Sequence, residues 1–459
     1  MRSVLVSLSA LAALVQLSAA AAVPYRRWND AKPGDVTTDP LPPTQDPFYN
    51  VPSDVASKQN GDVLKSRPVW TEFDAYSRGT YQLLYRTTNA TGGATAAVTT
   101  VFAPLKPANP PRINLLMTPI DSACPNCEPA FALQSGSGSN GTSFIVPEIA
   151  LDIVASLSKG WYVTVPDHDG LNAAFFAGVV EAFAGIDGLR ALLNFATVLP
   201  CADNYAAALR GYSGGAHAAA WVNEYLQSYG KGLNIIAAAY GGTPVDATST
   251  LNLLNEQPAA FLDVSSLAGQ ANAYPELNAF IAANLNANGT RAFQLARTLC
   301  NTQLGPLLAG INVYDLFKGG AATLLNSTVT QKYIKLNLLG NPVGSDLAPC
   351  TTNGVISVPT FMYHSSSDTT VAYAPVPAYV KSQCERGADI TFATVPGLNH
   401  TAAAVAYLGD AYTYLEQAFN GTLNTTSCSD RFGINAIPGT AAYSAAIGPA
   451  AAALLASET

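Results

Sequence analysis

The chain has 459 residues, 23 Lys and Arg against 31 Asp and Glu, and a net charge of −8. The acidic balance lacks the basic face that a nucleic-acid partner requires, and 12% charged against 49% hydrophobic residues excludes a disordered, charge-rich chain. The length allows one large domain or two to three smaller ones, and the mean hydropathy of +0.17 is high enough that a membrane-directed segment has to be sought.

That segment stands first. Arg2 precedes an apolar run from Val4 to Leu17, and small residues follow from Ser18 to Ala22. This is the charged start, apolar middle and small-residue cleavage site of a secretory signal peptide. Residues 1–22 are therefore expected to be removed, leaving a secreted, extracellular chain without a transmembrane segment. Seven sequons, at Asn89, Asn140, Asn288, Asn326, Asn399, Asn420 and Asn424, fit passage through a glycosylating route. Seven cysteines in an oxidising compartment predict two or three disulfides with at least one thiol left over.

Residues 23–67 are rich in Pro, Asp and Thr and predict an extended arm laid over the domain surface. Strand-like runs follow at 81–86, 96–102, 113–118, 161–166, 206–211, 234–240, 356–364 and 390–395. Several are almost continuously apolar, as strands covered on both faces by helices are. Helix-like segments lie at 147–159, 172–199, 216–229 and 401–419. The alternation predicts an α/β chain with a mostly parallel central sheet wound on both sides. From 243 to 344 helical patterns continue with no strand, which predicts a helical insertion at the C-terminal edge of the strands, where ligands bind in such sheets. The Ala-rich stretch 441–456 contains Pro449 and is followed by Ser457, Glu458 and Thr459, a poor match to a lipid-anchor signal.

Gly211-Tyr212-Ser213-Gly214-Gly215 follows an apolar run and precedes a helical one. A serine between close glycines at a strand-to-helix turn is held with its hydroxyl pushed into solvent, because larger neighbours would strike the strand or the helix. A serine hydroxyl needs an adjacent base, and the chain has four histidines. His168 precedes the serine, His217 lies one turn after it and points back along the helix, and His364 ends a strand. His400 stands in a loop after the last predicted strand, which matches the order serine, acid, histidine of this nucleophile turn. Asp368, 32 residues before His400, follows a strand and is the candidate acid that orients the imidazole. Asp346 precedes that strand and Asp389 begins one, so both fit less well. An oxyanion hole takes one backbone N–H from the residue after the nucleophile, here Gly214, and a second from the loop after 113–118, where Asp121 is the candidate.

Other motifs carry less. Cys124-Pro125-Asn126-Cys127 has CxxC spacing without the small redox fold, so a structural disulfide is the better reading. Asp167-His168-Asp169 resembles part of a metal set that nothing nearby in the sequence completes, and no metal is expected. No phosphate loop or dinucleotide fingerprint follows the first strand, and no cofactor is expected.

At these residues the sequence resembles the secretory lipases of yeasts and filamentous fungi, the group typified by Candida antarctica lipase A. The resemblance covers nearly the whole chain after the signal peptide. It includes GYSGGA at 211–216, TPIDSA at 118–123, VPDHDG at 165–170, and the loops of Asp368 and His400. It implies an α/β-hydrolase fold whose catalytic domain spans 23–242 and 345–459 and whose lid spans 243–344. It further implies Ser213, Asp368 and His400 as the triad, Asp121 and Gly214 as oxyanion donors, a bridge from Cys124 or Cys127 to Cys300, and one from Cys384 to Cys428. Cys201 and Cys350 have no evident family counterparts, and Asn399, beside His400, is expected to carry no glycan.

The function expected is a secreted carboxylic ester hydrolase acting on acylglycerols at a lipid–water interface, as a monomer. The alternatives are an esterase for short soluble esters, a serine peptidase of the same fold, or a hydrolase-fold binding protein without catalysis.

Overall fold

The computed structural model of this chain describes residues 39–140, 147–200, 202–425 and 427–457. The expected signal peptide, the first part of the arm and Cys201 lie outside the described residues.

Ten strands form one sheet among these residues: β1 Val63–Pro68, β2 Ser77–Thr88, β3 Ala94–Pro104, β4 Arg112–Met117, β5 Tyr162–Pro166, β6 Ala206–Tyr212, β7 Ile235–Gly241, β8 Thr360–Ser365, β9 Ile390–Val395 and β10 Ser429–Phe432. Their spatial order is β1-β2-β3-β5-β4-β6-β7-β8-β9-β10. The pairs β1–β2, β2–β3 and β3–β5 are antiparallel, and every pair from β5 to β10 is parallel. This is the mixed, mostly parallel sheet of an α/β-hydrolase.

The helices before the long insertion are α1 Pro129–Ala132, α2 Pro147–Ser158, α3 Gly178–Leu193 and α4 Gly214–Tyr225. Between β7 and β8 lie α5 Ala247–Leu254, α6 Phe261–Ala273, α7 Pro275–Asn284, α8 Ala287–Ala296, α9 Asn301–Leu308, α10 Gly320–Asn326 and α11 Thr328–Leu336. After β8 come α12 Val376–Glu385, α13 His400–Ala406, α14 Leu408–Phe419, α15 Ala441–Ile447 and α16 Pro449–Ser457.

Strand side chains alternate between two cores, as the two-residue period of a strand requires. On β4, Leu115 and Met117 join the core under α3 and α4, while Leu116 joins the core under α2 and α14. The insertion starts where Asp246 caps α5 by accepting from the N–H groups of Thr248 and Ser249. Asn286 and Ser327 cap α8 and α11 in the same way. The Ala-rich end folds as α15 and α16, and Tyr443, Ile447 and Ala451 are buried against the sheet.

Several expected boundaries differ, each for a local reason. The end of the arm is not loop but β1, and β10 was not foreseen; both are edge strands with polar, largely uncovered faces and hence no apolar signature. The strand expected at 356–364 begins only at Thr360, because Asn223 Oδ1 takes the N–H groups of Ser357 and Val358 and Gln383 Oε1 takes that of Ile356. The helix expected at 172–199 starts at Gly178, after Ala173 and Phe176 with φ of 48° and 67°. The segment 401–419 is two helices, parted at Tyr407.

Candidate active site

β6 delivers the chain to Ser213, which sits at φ 57° and ψ −127° between strand and α4. Positive φ is costly for serine, on the order of 1–3 kcal/mol. The surroundings hold it there: Ser213 N–H donates to Gly241 O at 3.0 Å, and its own carbonyl accepts from Ala216 and His217 N–H. A Cβ on Gly211 would lie 2.4 Å from Gly215 O, and one on Gly215 would lie 2.1 Å from Met117 O. Helix and strand therefore close on the turn more tightly than any side chain permits.

His400 Nε2 lies 2.7 Å from Ser213 Oγ, and His400 Nδ1 lies 2.6 Å from Asp368 Oδ2. Both distances are within reach of proton transfer. His400 opens α13, whose N-cap Asn399 accepts from Ala402 N–H, and its carbonyl accepts from Tyr212 OH at 2.6 Å. Asp368, in the loop after β8, has its Oδ1 fixed by Thr370 and Val371 N–H, both at 2.8 Å. Burial disfavours its charge, but hydrogen bonds from His364 and His400 outweigh this and hold the carboxyl well below the usual range. The sequence thus brings together in space three groups drawn from distant loops.

His364 is the residue that sequence reasoning passed over. Weighed only as a base, it instead lies with Nε2 3.2 Å from the same Asp368 oxygen that His400 uses. Its spacing of four residues from Asp368 was the available signal. The remaining histidines are buried elsewhere. His217 Nδ1 bonds Glu181 Oε2 at 2.7 Å, and Trp221 Nε1 donates to its Nε2 at 3.0 Å. His168 Nε2 lies 2.9 Å from Thr118 O, bracing the loop that leads to Asp121.

Asp121 has φ 56°, and Asp121, Ser213 and Gly214 line one cavity. Among the described residues neither the Asp121 nor the Gly214 N–H has an acceptor, so both are available to a developing oxyanion. The Asp121 side chain lies against Gly214: a Cβ there would lie 2.1 Å from its Oδ1. Burial pushes that carboxyl up to about 6. Phe175 and Phe176 also line the cavity, as do Thr250, Leu251, Leu254, Leu262, Asp263 and Ser266 from α5 and α6 of the insertion.

Folding brings one further carboxylate to two residues of the Asp167-His168-Asp169 run, His168 and Asp169. Glu181 on α3 brings its carboxylate within 4.8 Å of the ligand atoms of His168 and Asp169. Twelve residues of turn and helix hid that approach. The group's charges close on one another: Glu181 accepts from Phe176 N–H and His217, and His168 lies 3.2 Å from Asp169. Burial opposes charge on His168, yet Asp169 overcomes it and raises the imidazole to about 9.

Below the serine turn, buried Arg210 on β6 donates to Asp152 Oδ1 on α2 at 3.0 Å and to Gly211 O at 2.6 Å. Two disulfides are formed, Cys127–Cys300 and Cys384–Cys428, with Cα separations of 5.6 and 5.9 Å. Cys127, not Cys124, is thus the partner of Cys300, and Cys124 and Cys350 have no disulfide partner among the described residues. No helix among the described residues is long and apolar enough to cross a membrane.

Comparison with known proteins agrees with this architecture. Residues 134–427 match the family model described as secretory lipase. The chain is 36% identical over 389 residues to lipase A of Moesziomyces aphidis, covering 84% of this chain and 82% of that one. It is 33% identical to a secreted triacylglycerol lipase of Malassezia globosa, covering 82% of this chain and 79% of that one. The crystal structure of Candida antarctica lipase A in its closed state superposes with a TM-score of 0.82 at 32% identity, covering 92% of this chain and 96% of that one. The chain belongs to the secretory lipase family, secreted ester hydrolases of the α/β-hydrolase fold.

Proposed function

We propose that the chain is a triacylglycerol lipase that works through an acyl-enzyme on Ser213. The observation that carries the reading is the unbroken relay from Ser213 Oγ to His400 at 2.7 Å and on to Asp368 at 2.6 Å. Ser213 Oγ attacks the ester carbonyl as His400 Nε2 takes its proton, and Asp368 holds the resulting imidazolium. The N–H groups of Asp121 and Gly214 receive the negative charge on the carbonyl oxygen. The tetrahedral centre collapses as His400 returns the proton to the departing alcohol oxygen, leaving the acyl group on Ser213. Water then attacks, His400 again takes the proton, and the acid leaves with the serine restored.

In this reading the segment 243–344 is the lid. Its helices α5 and α6 supply the cavity wall facing Ser213, so their movement would govern how much acyl chain the site admits. A second reading, an esterase for short soluble esters, is favoured by the cavity wall itself, where Leu251, Leu254 and Leu262 of α5 and α6 stand over Ser213. Turnover of emulsified long-chain triacylglycerol against soluble butyrate and acetate esters, with Ser213→Ala as blank, tests both. Hydrolysis of the emulsion supports the lipase, activity confined to short soluble esters supports the esterase, and rates equal to the blank overturn the mechanism.

A further inference from the structure

The cavity at Ser213 holds a carboxyl group that ester hydrolysis alone leaves idle. Asp263 stands in the first turn of α6, lines the cavity and is only 3% exposed. Its Oδ2 has no hydrogen-bond partner among the described residues, and neither has the buried Oγ1 of Thr250 on α5, which lines the same cavity. Around them Leu251, Leu254, Leu262 and Phe175 are apolar. A channel meant only for a hydrocarbon chain gains nothing from two orphaned polar groups, because each is costly to bury unpaired and stays unpaired against methylene groups.

Burial alone pushes the Asp263 carboxyl up to about 8, with no cation beside it. At neutral pH the group is therefore the uncharged acid, which both donates and accepts, as the Thr250 hydroxyl does. Carried on the packed helices α5 and α6 and lining one cavity, the two groups can each bond a neutral hydroxyl, as donor or as acceptor. Sites built to bond a substrate hydroxyl reject the analogue lacking it far more strongly than apolar pockets reject a missing methylene.

We propose that Asp263 and Thr250 form a polar subsite for a hydroxyl group of the substrate, so that this chain selects hydroxylated esters over fully aliphatic ones. The proposal rests on the reading of Ser213 as the nucleophile of an ester hydrolase. The hydroxyl can sit on the acyl side or on the alcohol side of the ester, and both present the same chemistry to the subsite.

The test uses two substrate pairs on the full protein. p-Nitrophenyl 3-hydroxy- and 6-hydroxyhexanoate against p-nitrophenyl hexanoate probe the acyl side, and 4-hydroxybutyl acetate against pentyl acetate probes the alcohol side. In at least one pair the hydroxylated ester should have a kcat/KM about 10- to 100-fold higher. Asp263→Leu should erase that preference and raise kcat/KM for the aliphatic ester, whereas Asp263→Asn, which still donates and accepts, should keep most of it. Equal kcat/KM within both pairs, with rates still dependent on Ser213, would overturn the subsite and leave ester hydrolysis standing. Hydroxyl recognition is read separately in the Ser213→Ala protein, as the rise in Tm given by 1,6-hexanediol against 1-hexanol. A larger rise with the diol, lost in Ser213→Ala/Asp263→Leu, supports the subsite even if no ester is turned over, and equal rises refute it.

Discussion

His364 and His400 each place a ring nitrogen on the same oxygen of Asp368, at 3.2 Å and 2.6 Å. The carboxylate is thereby shared between the imidazole facing Ser213 and a second one that is wholly buried. A shared carboxylate gives less of its negative charge to either partner. Replacing His364 by Phe should leave that oxygen to His400 alone but remove one of the groups that hold Asp368, so kcat should fall about 2- to 10-fold with KM little changed. An unchanged kcat would show that His364 only fills space.

Ser213→Ala and His400→Ala should each lower kcat by a factor of roughly 10³ to 10⁶ with the fold intact. His217→Ala is the informative control. Its ring is bonded to Glu181 and Trp221 inside the core, so its loss should lower Tm, at a cost of about 1–3 kcal/mol. The kcat/KM of the folded fraction should remain within about tenfold of the parent. A loss on the His400 scale would make His217 the base.

Asp121 gives a pH prediction with a definite sign. Its carboxyl, pushed up to about 6 by burial, lies against Gly214. As pH rises through that value a negative charge appears beside the position where the carbonyl oxygen becomes negative, and like charges oppose. Asp121→Asn keeps the backbone N–H and tolerates positive φ, but cannot ionise. Relative to the parent, its ratio of kcat/KM at pH 8 to that at pH 5 should be several-fold higher. Gly214→Ala, in contrast, should lower kcat by about 10²-fold or more at every pH, because the added methyl displaces the Asp121 side chain or the turn itself.

Global stability should fall from the mildly acidic to the alkaline side. Burial raises Glu148 to about 7 and Glu224 to about 8, from an ordinary 4.5, and Asp263 to about 8 from 3.8. The folded chain thus binds more protons than the unfolded one between about pH 4 and pH 8, so this contribution is complete below pH 4 and is lost as pH climbs through the folded values. His168, raised to about 9, acts in the same direction above its ordinary 6.5. Thermal denaturation should show Tm dropping by about 5 °C or more from pH 5 to pH 8.5, and Glu224→Gln should flatten part of that slope. A Tm that rises over this range would mean that these groups are ionised in the fold.

Arg210 and Asp152 form a buried pair under the serine turn. Asp152→Ala leaves the guanidinium charged and uncompensated, and unfolding should become easier by about 3–5 kcal/mol. Denaturant titration checks this, and a loss below about 1 kcal/mol would show that Arg210 finds water or another acceptor.

The central strands were legible because they are near-continuous apolar runs, and the serine turn because its glycines answer to two specific collisions, with Gly215 O and Met117 O. Order along the chain pointed to His400 among four histidines, and its ring stands 2.7 Å from Ser213 Oγ. What sequence did not show depends on through-space approach or on edges. β1 and β10 carry polar faces because one side meets water. Glu181 acts through neighbours that folding alone brings near, His364 reads as one more strand histidine until its ring meets Asp368, and Asp263 is an ordinary helix-opening aspartate until the walls of the cavity close around it.

The Cys127–Cys300 bond fastens the loop that follows Asp121 to the junction of α8 and α9. A roof nailed at one corner would swing there rather than lift. Because α6 packs against both α8 and α9, the helices over the serine share that anchor, and a reducing agent should turn a hinged shutter into a loose one without touching any group that bonds the ester.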